Sequence, residues 1–367
     1  MDVFELIRDE TNRYALDFFD GPSVEDDLPR TSRFRDWEDA TLDEIKIVTA
    51  MQIGMGLCWK PDIEDYFEGQ YLIGTSGFSY YMSRNRYELI SSFFHFNNNA
   101  DRVPRGEDGY DPLFKVRPLL DLCISTYRRY YLPKRELSVD ESMTKFKGRT
   151  FLRQYMPNKP IRYGLKIWAL CESSTGFCLN WSVYTGRREV PGDYGLSYDV
   201  VRDVSHDFMN KGHHIYMDNF FSGPKLFLDM KDDNTGCCGT VRPGRVGIPA
   251  AIRNERLRKG DPPFFMQSGC LVAVAWHDIK RVHALSSVHE PGPVQKRLRH
   301  KDGEGGYRNV EKPAMIDQYN KYMGGVDSFD QQLGTYGYEH KSQKWYMPLH
   351  HRIRETALVM VTFFTKL

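Results

Sequence analysis

The chain has 367 residues, 41% of them hydrophobic and 14% aromatic, with a formal net charge of +1. That length points to two or three structural units, and so many aromatic side chains exclude a disordered chain. Net charge singles out no partner, but its distribution is uneven: residues 1–65 carry 17 Asp and Glu against seven Lys and Arg, which leaves a basic remainder. Such a remainder is compatible with nucleic acid, and equally with ordinary surface charge on two unequal modules.

Seven cysteines without a Cys-x-x-Cys pair fit a reducing compartment and show no usual zinc spacing. The start, MDVFELIRDETNRYA, lacks the layout of a signal peptide, and the apolar run ALVMVTFF (357–364) is too short to span a bilayer. A soluble intracellular protein without a membrane partner is expected.

Residues 1–135 read mostly as helix. TLDEIKIVTAMQIGMGLCW opens on Thr41 with Glu44 three positions on, the spacing of a capping box. SRNRYELISSFFHF (83–96) and DPLFKVRPLLDLCISTYRRYY (111–131) follow, the latter kinked or restarted at Pro118. From Glu136 the texture changes to short β-branched or aromatic runs: ELSVDESM, YGLKIWALCES, GFCLNWSVYTG, HHIYMDNFF and TGCCGTVR. Segments 198–210 and 223–231 read as helices around the fourth of these strands. Residues 246–311 loosen into Gly, Pro and charge with a few strand-like runs, as an inserted, mostly-β module would. Helix returns in KPAMIDQYNKYMGGVDSFDQQL and WYMPLHHRIRETALVMVTFF.

Three aspartates stand where phosphoryl-transfer chemistry would use them. Asp140 and Asp218 come late in strand-like runs, each on the face opposite the apolar positions. Asp is disfavoured within strands, so each either serves chemistry or merely ends its strand and caps the next turn. In YMGGVDSFDQQ, Gly324 and Gly325 break a helix, and Asp327 and Asp330 share a face if a new helix begins there. An ordinary helix start would read the same way. Two-metal strand cutting needs oxygen ligands around two divalent ions roughly 4 Å apart, and Mg²⁺ prefers carboxylates. His213 and His214 show no ligand spacing and are expected in an exposed loop.

LSVDESMTKFKGRTFLRQYMPNKPIRYGLKIWALCESSTGF resembles the first catalytic block of piggyBac-type transposases. IYMDNFFSGPKLFLDM is similar to the second, GCCGTVRPGRVGIPAAI to the lead into the inserted domain, and KPAMIDQYNKYMGGVDSFDQ to the third. The closing HKSQKWYMPLHHRIRETALV is similar to the helix that follows. The ordered set, spanning about residues 1 to 367, carries the resemblance.

The resemblance implies a DDE/DDD-type transposase that nicks, forms a hairpin and joins DNA at TTAA targets. Asp140, Asp218 and Asp327 match the catalytic, metal-binding aspartates, with Asp330 as a further ligand. The cofactors implied are two Mg²⁺ or Mn²⁺ ions, and the carboxylates should converge. The α/β fold implied has a ribonuclease-H-like catalytic core (136–245 and 312–336), an insertion domain (246–311) and a helical dimerisation and DNA-binding domain (1–135 and 337–367). Double-stranded DNA, a homodimer and a nuclear location follow as expectations. Such transposases usually end in a cysteine-rich module that has no counterpart in this sequence. That departure leaves open a fragment or a domesticated derivative that binds DNA or chromatin without cutting.

Basic positions complete the picture. Asn158, Lys159, Arg162 and Lys166 follow the first block, and Arg242, Arg245, Arg256, Arg258 and Lys259 lie in a stretch of balance +5. They are expected to contact DNA, against the alternative of a solvated charge run. QKRLRHK (295–301) adds further bases and doubles as a nuclear-import candidate.

Overall fold

The computed structural model describes residues 2–21, 28–69, 75, 77–186, 192–299, 307–338 and 341–365. Its longer helices are α1 (Val3–Phe19), α2 (Leu42–Leu57), α3 (Arg84–Phe93), α4 (Arg117–Tyr130), α5 (Leu196–Ser205), α6 (Pro224–Asp232), α7 (Ala314–Tyr322), α8 (Gly325–Gly334) and α9 (Met347–Thr365). The strands are β1 (Glu136–Lys145), β2 (Arg153–Tyr155), β3 (Tyr163–Glu172), β4 (Cys178–Val183), β5 (His214–Met217), β6 (Gly236–Thr240), β7 (Phe264–Ser268), β8 (Leu271–His277), β9 (Arg281–Ser286), β10 (Pro293–Arg299) and β11 (Tyr307–Pro313). The chain forms two compact units. One holds Met1–Arg129, Thr144–Gly164 and Gln332–Leu367, the other Tyr130–Met143 and Leu165–Gln331.

The first unit is mainly helical and draws on both ends of the chain. Thr41 caps α2 in a reciprocal box with Glu44, as its spacing predicts. Glu44 also takes a two-pronged ion pair from Arg86 of α3 at 2.7 and 2.8 Å, which holds its carboxyl below the usual range. Aromatic rings of Tyr14, Phe18, Phe19, Phe34 and Trp37 surround Phe93. Pro118 marks a restart: a 3₁₀ turn at Phe114–Val116 gives way to α4, with Pro118 in its first turn, where no amide donor is needed. The unit closes over long sequence separations, with the Tyr127 hydroxyl donating to the Ile353 carbonyl and Arg354 to Gln52.

The second unit is built on a mixed sheet. β1, β5 and β6 run parallel, and β9, β8 and β7 continue from β6 in antiparallel order. β3 pairs with β1 and, as an antiparallel hairpin, with β4. Tyr216, Cys238, Val272, Val274, Trp276 and Ala284 form a core with Met315 and Ile316 of α7. Cys237 and Cys238 are both fully buried, as core packing requires.

Several boundaries differ from the sequence reading. The strands of 246–311 make no separate sheet up to β9: Cys238 pairs with Ser286 and Thr240 with Ala284, which satisfies the backbone edge that β6 would otherwise expose. Among the described residues, β10 and β11 form a separate two-stranded sheet. Residues 144–164 group with the helical unit, and β2 within them was not foreseen. His213 is buried and His214 opens β5, so neither lies in an exposed loop. Of QKRLRHK, His300 and Lys301 lie outside the described residues.

Candidate active site

Parallel pairing sets the geometry. β1 and β5 are in register from Glu136 opposite His214 to Val139 opposite Met217, and β5 and β6 from His214 opposite Gly236 to Met217 opposite Gly239. One step on, where the pairing of β1 with β5 stops, Asp140 within β1, Asp218 just past the carboxyl end of β5 and Thr240 at that of β6 stand in a row, neighbouring strands being roughly 4.8 Å apart. The crevice outside these ends is where open α/β sheets bind ligands.

The row two residues back shows which face these side chains share. Tyr216 and Cys238 pack towards α7. Ser138 lies under the start of α8, where a Cβ on Gly325 would collide with its Oγ and lie 3.0 Å from the Glu172 carbonyl. Only glycine lets α8 approach so closely. Further along, the Ser142 hydroxyl donates to Asp330 at 2.5 Å. The helix carrying Asp327 and Asp330 therefore runs over the same strand as Asp140. Asp330 is half-buried and Asp327 exposed.

Asp218 is the electrostatically costly member. Burial pushes its carboxyl above the usual aspartate range, and nearby Glu141 adds to this, while the Phe220 N–H, donating at 2.8 Å, and Arg242 oppose it. The loop that holds Asp218 is braced from outside. Arg245 Nη2 donates to the carbonyls of Asn219 and Phe220 at 2.8 and 2.6 Å, and Arg242 Nε to the Asn219 side chain at 3.1 Å.

The all-oxygen donor set suits a hard divalent cation, which would also relieve the cost of charge on Asp218. The expected convergence is incomplete: among the described residues, no three His, Cys, Asp or Glu side chains gather closely enough to hold a metal ion. Like charges repel, and three of the four acids turn to donors of their own: Asp140 to the Glu141 N–H, Asp218 to that of Phe220, Asp330 to Ser142.

The basic positions divide into kinds. Lys166 lies 3.9 Å from the Trp168 ring centroid, and that ring stacks on Phe220. Asn158 and Arg162 are exposed on the β2–β3 loop, with Lys159 half-buried between them. Arg256, Arg258 and Lys259 are exposed on the loop before β7. Arg242 and Arg245, chosen for charge alone, turn out to hold the Asp218 loop. Ser142, which donates to Asp330, carried no charge or spacing signal.

A sequence profile of the family described as Transposase IS4 matches residues 1–359. The chain belongs to this transposase family. Human PiggyBac transposable element-derived protein 2 is 25% identical over 362 residues, 93% of this chain and 59% of the relative. Human PiggyBac transposable element-derived protein 3 is 27% identical over 276 residues, 72% of this chain and 45% of the relative. This transposase-family chain thus spans about three-fifths or less of the length of these relatives. A cryo-EM structure described as a piggyBac transposase synaptic complex with hairpin DNA matches at a TM-score of 0.79 and 24% identity, over 97% of this chain and 70% of that one. The fold is accordingly the mixed α/β, ribonuclease-H-like fold of a piggyBac-type transposase. Among the described residues no helix is long and apolar enough to cross a membrane.

Proposed function

We propose that this transposase-family chain cuts and joins double-stranded DNA by phosphoryl transfer, with Asp140, Asp218 and Asp327 as catalytic carboxylates and Asp330 beside them. The observation that carries this reading is the register: Asp140 and Asp218 both come one step past the last paired rung of two adjacent parallel strands, and α8 brings two more acids over the first of them. These acids would hold two divalent cations, Mg²⁺ or Mn²⁺, which when bound activate the attacking oxygen and stabilise the leaving one. Arg245 keeps the Asp218 loop in place for that task. Exposed Asn158, Arg162, Arg256, Arg258 and Lys259, with Lys159 and Lys166, would meet DNA phosphates, which position a duplex without reading it. TTAA targets, action as a homodimer and a nuclear location belong to the same proposal.

The test is nicking of TTAA-flanked duplex DNA with Mg²⁺ or Mn²⁺. Wild type should cut and Asp218→Asn should not, although both bind DNA. A second reading, a domesticated DNA- or chromatin-binding protein that does not cut, is favoured by the relatives, which are described as transposable element-derived. DNA binding without any metal-dependent cleavage by wild type would decide for it.

A further inference from the structure

Residues 144–164 leave most of their aromatic rings in solvent. The segment belongs to the helical unit, and β2 and the first residues of β3 run through it. It contains six Lys and Arg and no Asp or Glu. Phe146 and Leu152 anchor it in the core at 4% and 0% exposure, whereas Phe151, Tyr155 and Tyr163 are 53%, 56% and 46% exposed. The apolar area of such rings ordinarily draws them inside, so three left out in one short segment call for a partner.

The rings are held in place. β2 alternates, which puts Arg153 and Tyr155 on its exposed face, and β3 pairs beside it. The Met156 N–H donates to the Arg162 carbonyl at 2.8 Å, which ties the two strands together at their turn. On that face the Tyr155 and Tyr163 rings meet with centroids 4.7 Å apart, tilted by 31°. The Arg153 guanidinium lies 5.9 Å from the Tyr163 centroid. It is itself fixed, its Nη1 donating to the carbonyls of Lys147 and Gly148 at 2.9 and 3.2 Å. Arg105 sits over Phe151 in the same way, 5.5 Å from its centroid. Aromatic faces beside guanidinium groups, on a segment rich in bases, are the elements of a surface that stacks nucleobases.

An intact duplex cannot use such faces, because its bases cover one another and present only edges and phosphates. Unpaired nucleotides offer a π face for the tyrosines and a phosphate for the exposed Lys147, Arg149 and Arg162. We propose that the β2–β3 ribbon is a stacking platform for unpaired bases of single-stranded DNA: Tyr155 and Tyr163 receive the bases, and Arg153 steadies the second ring. A second copy of this chain is the poorer occupant, since across a two-fold axis the segment would face its own unbalanced positive charge. This role rests on the proposed cutting of DNA, which frees strand ends whose last bases can leave the helix.

The test is binding of the whole chain, in EDTA at fixed salt, to a fluorescein-labelled single strand of mixed sequence and to the same sequence as a blunt duplex. Loss of a stacked base weakens binding by about 5- to 150-fold. Tyr155→Ala combined with Tyr163→Ala should fall in that range for the single strand and leave duplex affinity nearly as in wild type. Tyr155→Phe with Tyr163→Phe keeps both rings and should retain single-strand binding. Tyr155→Ala alone carries the test if the double alanine variant fails to fold. Equal losses on both DNAs, wild-type single-strand affinity in the folded alanine variant, or a wild type that binds the duplex alone overturns the inference and leaves the proposed function intact. An alanine variant that sediments as a smaller species than wild type, with single-strand affinity unchanged, also overturns it and assigns the rings to contact between copies. A wild type that binds neither DNA removes both readings.

Discussion

Replacing Gly325 with alanine tests whether α8 lies as close to β1 and β3 as described. The added methyl would collide with Ser138 Oγ and fall 3.0 Å from the Glu172 carbonyl oxygen and 3.1 Å from Ser173 Cα. The last two are backbone atoms, so rotating a side chain cannot relieve the crowding. Overpacking of this kind costs about 1–3 kcal/mol, and the lower unfolded-state entropy of alanine returns about 0.4–1 kcal/mol. The net loss of about 1–2 kcal/mol corresponds to a melting temperature lower by about 2–8 °C for a unit of this size. Calorimetry in EDTA, with urea unfolding as a second probe, would measure it. Adding Ser138→Ala removes one of the three contacts, whose Oγ is buried without a hydrogen-bond partner among the described residues, and should recover part of the loss. If Gly325→Ala melts with or above the wild type, the close approach of α8 is wrong, and with it the placement of Asp330 over β1.

Two further outcomes concern titration. Asp218 has a folded pKa above its unfolded value, so its contribution to stability falls as pH rises through that window and stays low above it. Asp218→Asn should therefore be more stable than wild type in EDTA at pH 7, lose that advantage below the ordinary aspartate pKa, and gain less from Mg²⁺; melting curves in EDTA at pH 3–8 would show it, and a variant no more stable at neutral pH would contradict it. His95, in the helical unit, is lowered to about 4, first by burial and then by the charge of Lys115, with Asn99 opposing. Its contribution is complete above the usual histidine value and is lost as pH falls from about 6.5 towards 4. Urea midpoints across that range should vary less in His95→Gln, with a residual slope from His289 and His350, which burial also lowers; an unchanged slope would count against a neutral His95.

What the sequence disclosed follows from which forces are local. The alternation in ELSVDESM and HHIYMDNFF puts Asp140 and Asp218 on the face opposite the apolar positions of their runs, because side-chain period is a property of a few consecutive residues. The break at Gly324 and Gly325 was equally local, and so was the Thr41 cap. The joining of β9 to β6 was not legible, since it depends on pairing Cys238 with Ser286 across the intervening β7 and β8. The same holds for Ser142 and Asp330, 188 residues apart. Arg242 and Arg245 were noticed for their charge, but their hydrogen bonds to the Asn219 side chain and to loop carbonyls leave no trace in composition.

The way the chain crosses between units bears on how it is made. It leaves the helical unit after Arg129, returns at Thr144, departs again after Gly164 and comes back only at Gln332. A ribosome adding about 5–20 residues per second needs about 10–45 s to travel from Arg129 to Met347. Throughout that interval α1 and α3 can already gather their aromatic rings around Phe93, but Ile353, whose carbonyl receives the Tyr127 hydroxyl, has not been synthesised. Gln52 likewise waits for Arg354, and Tyr87, for all but the end of that interval, for Tyr338. The sheet of the second unit, whose residues are complete by Gln331, is able to fold first. Residues 1–135 expressed alone would hold those polar groups permanently without their partners, and should be recovered only as a loosely packed, aggregation-prone fragment until residues 332–367 are supplied.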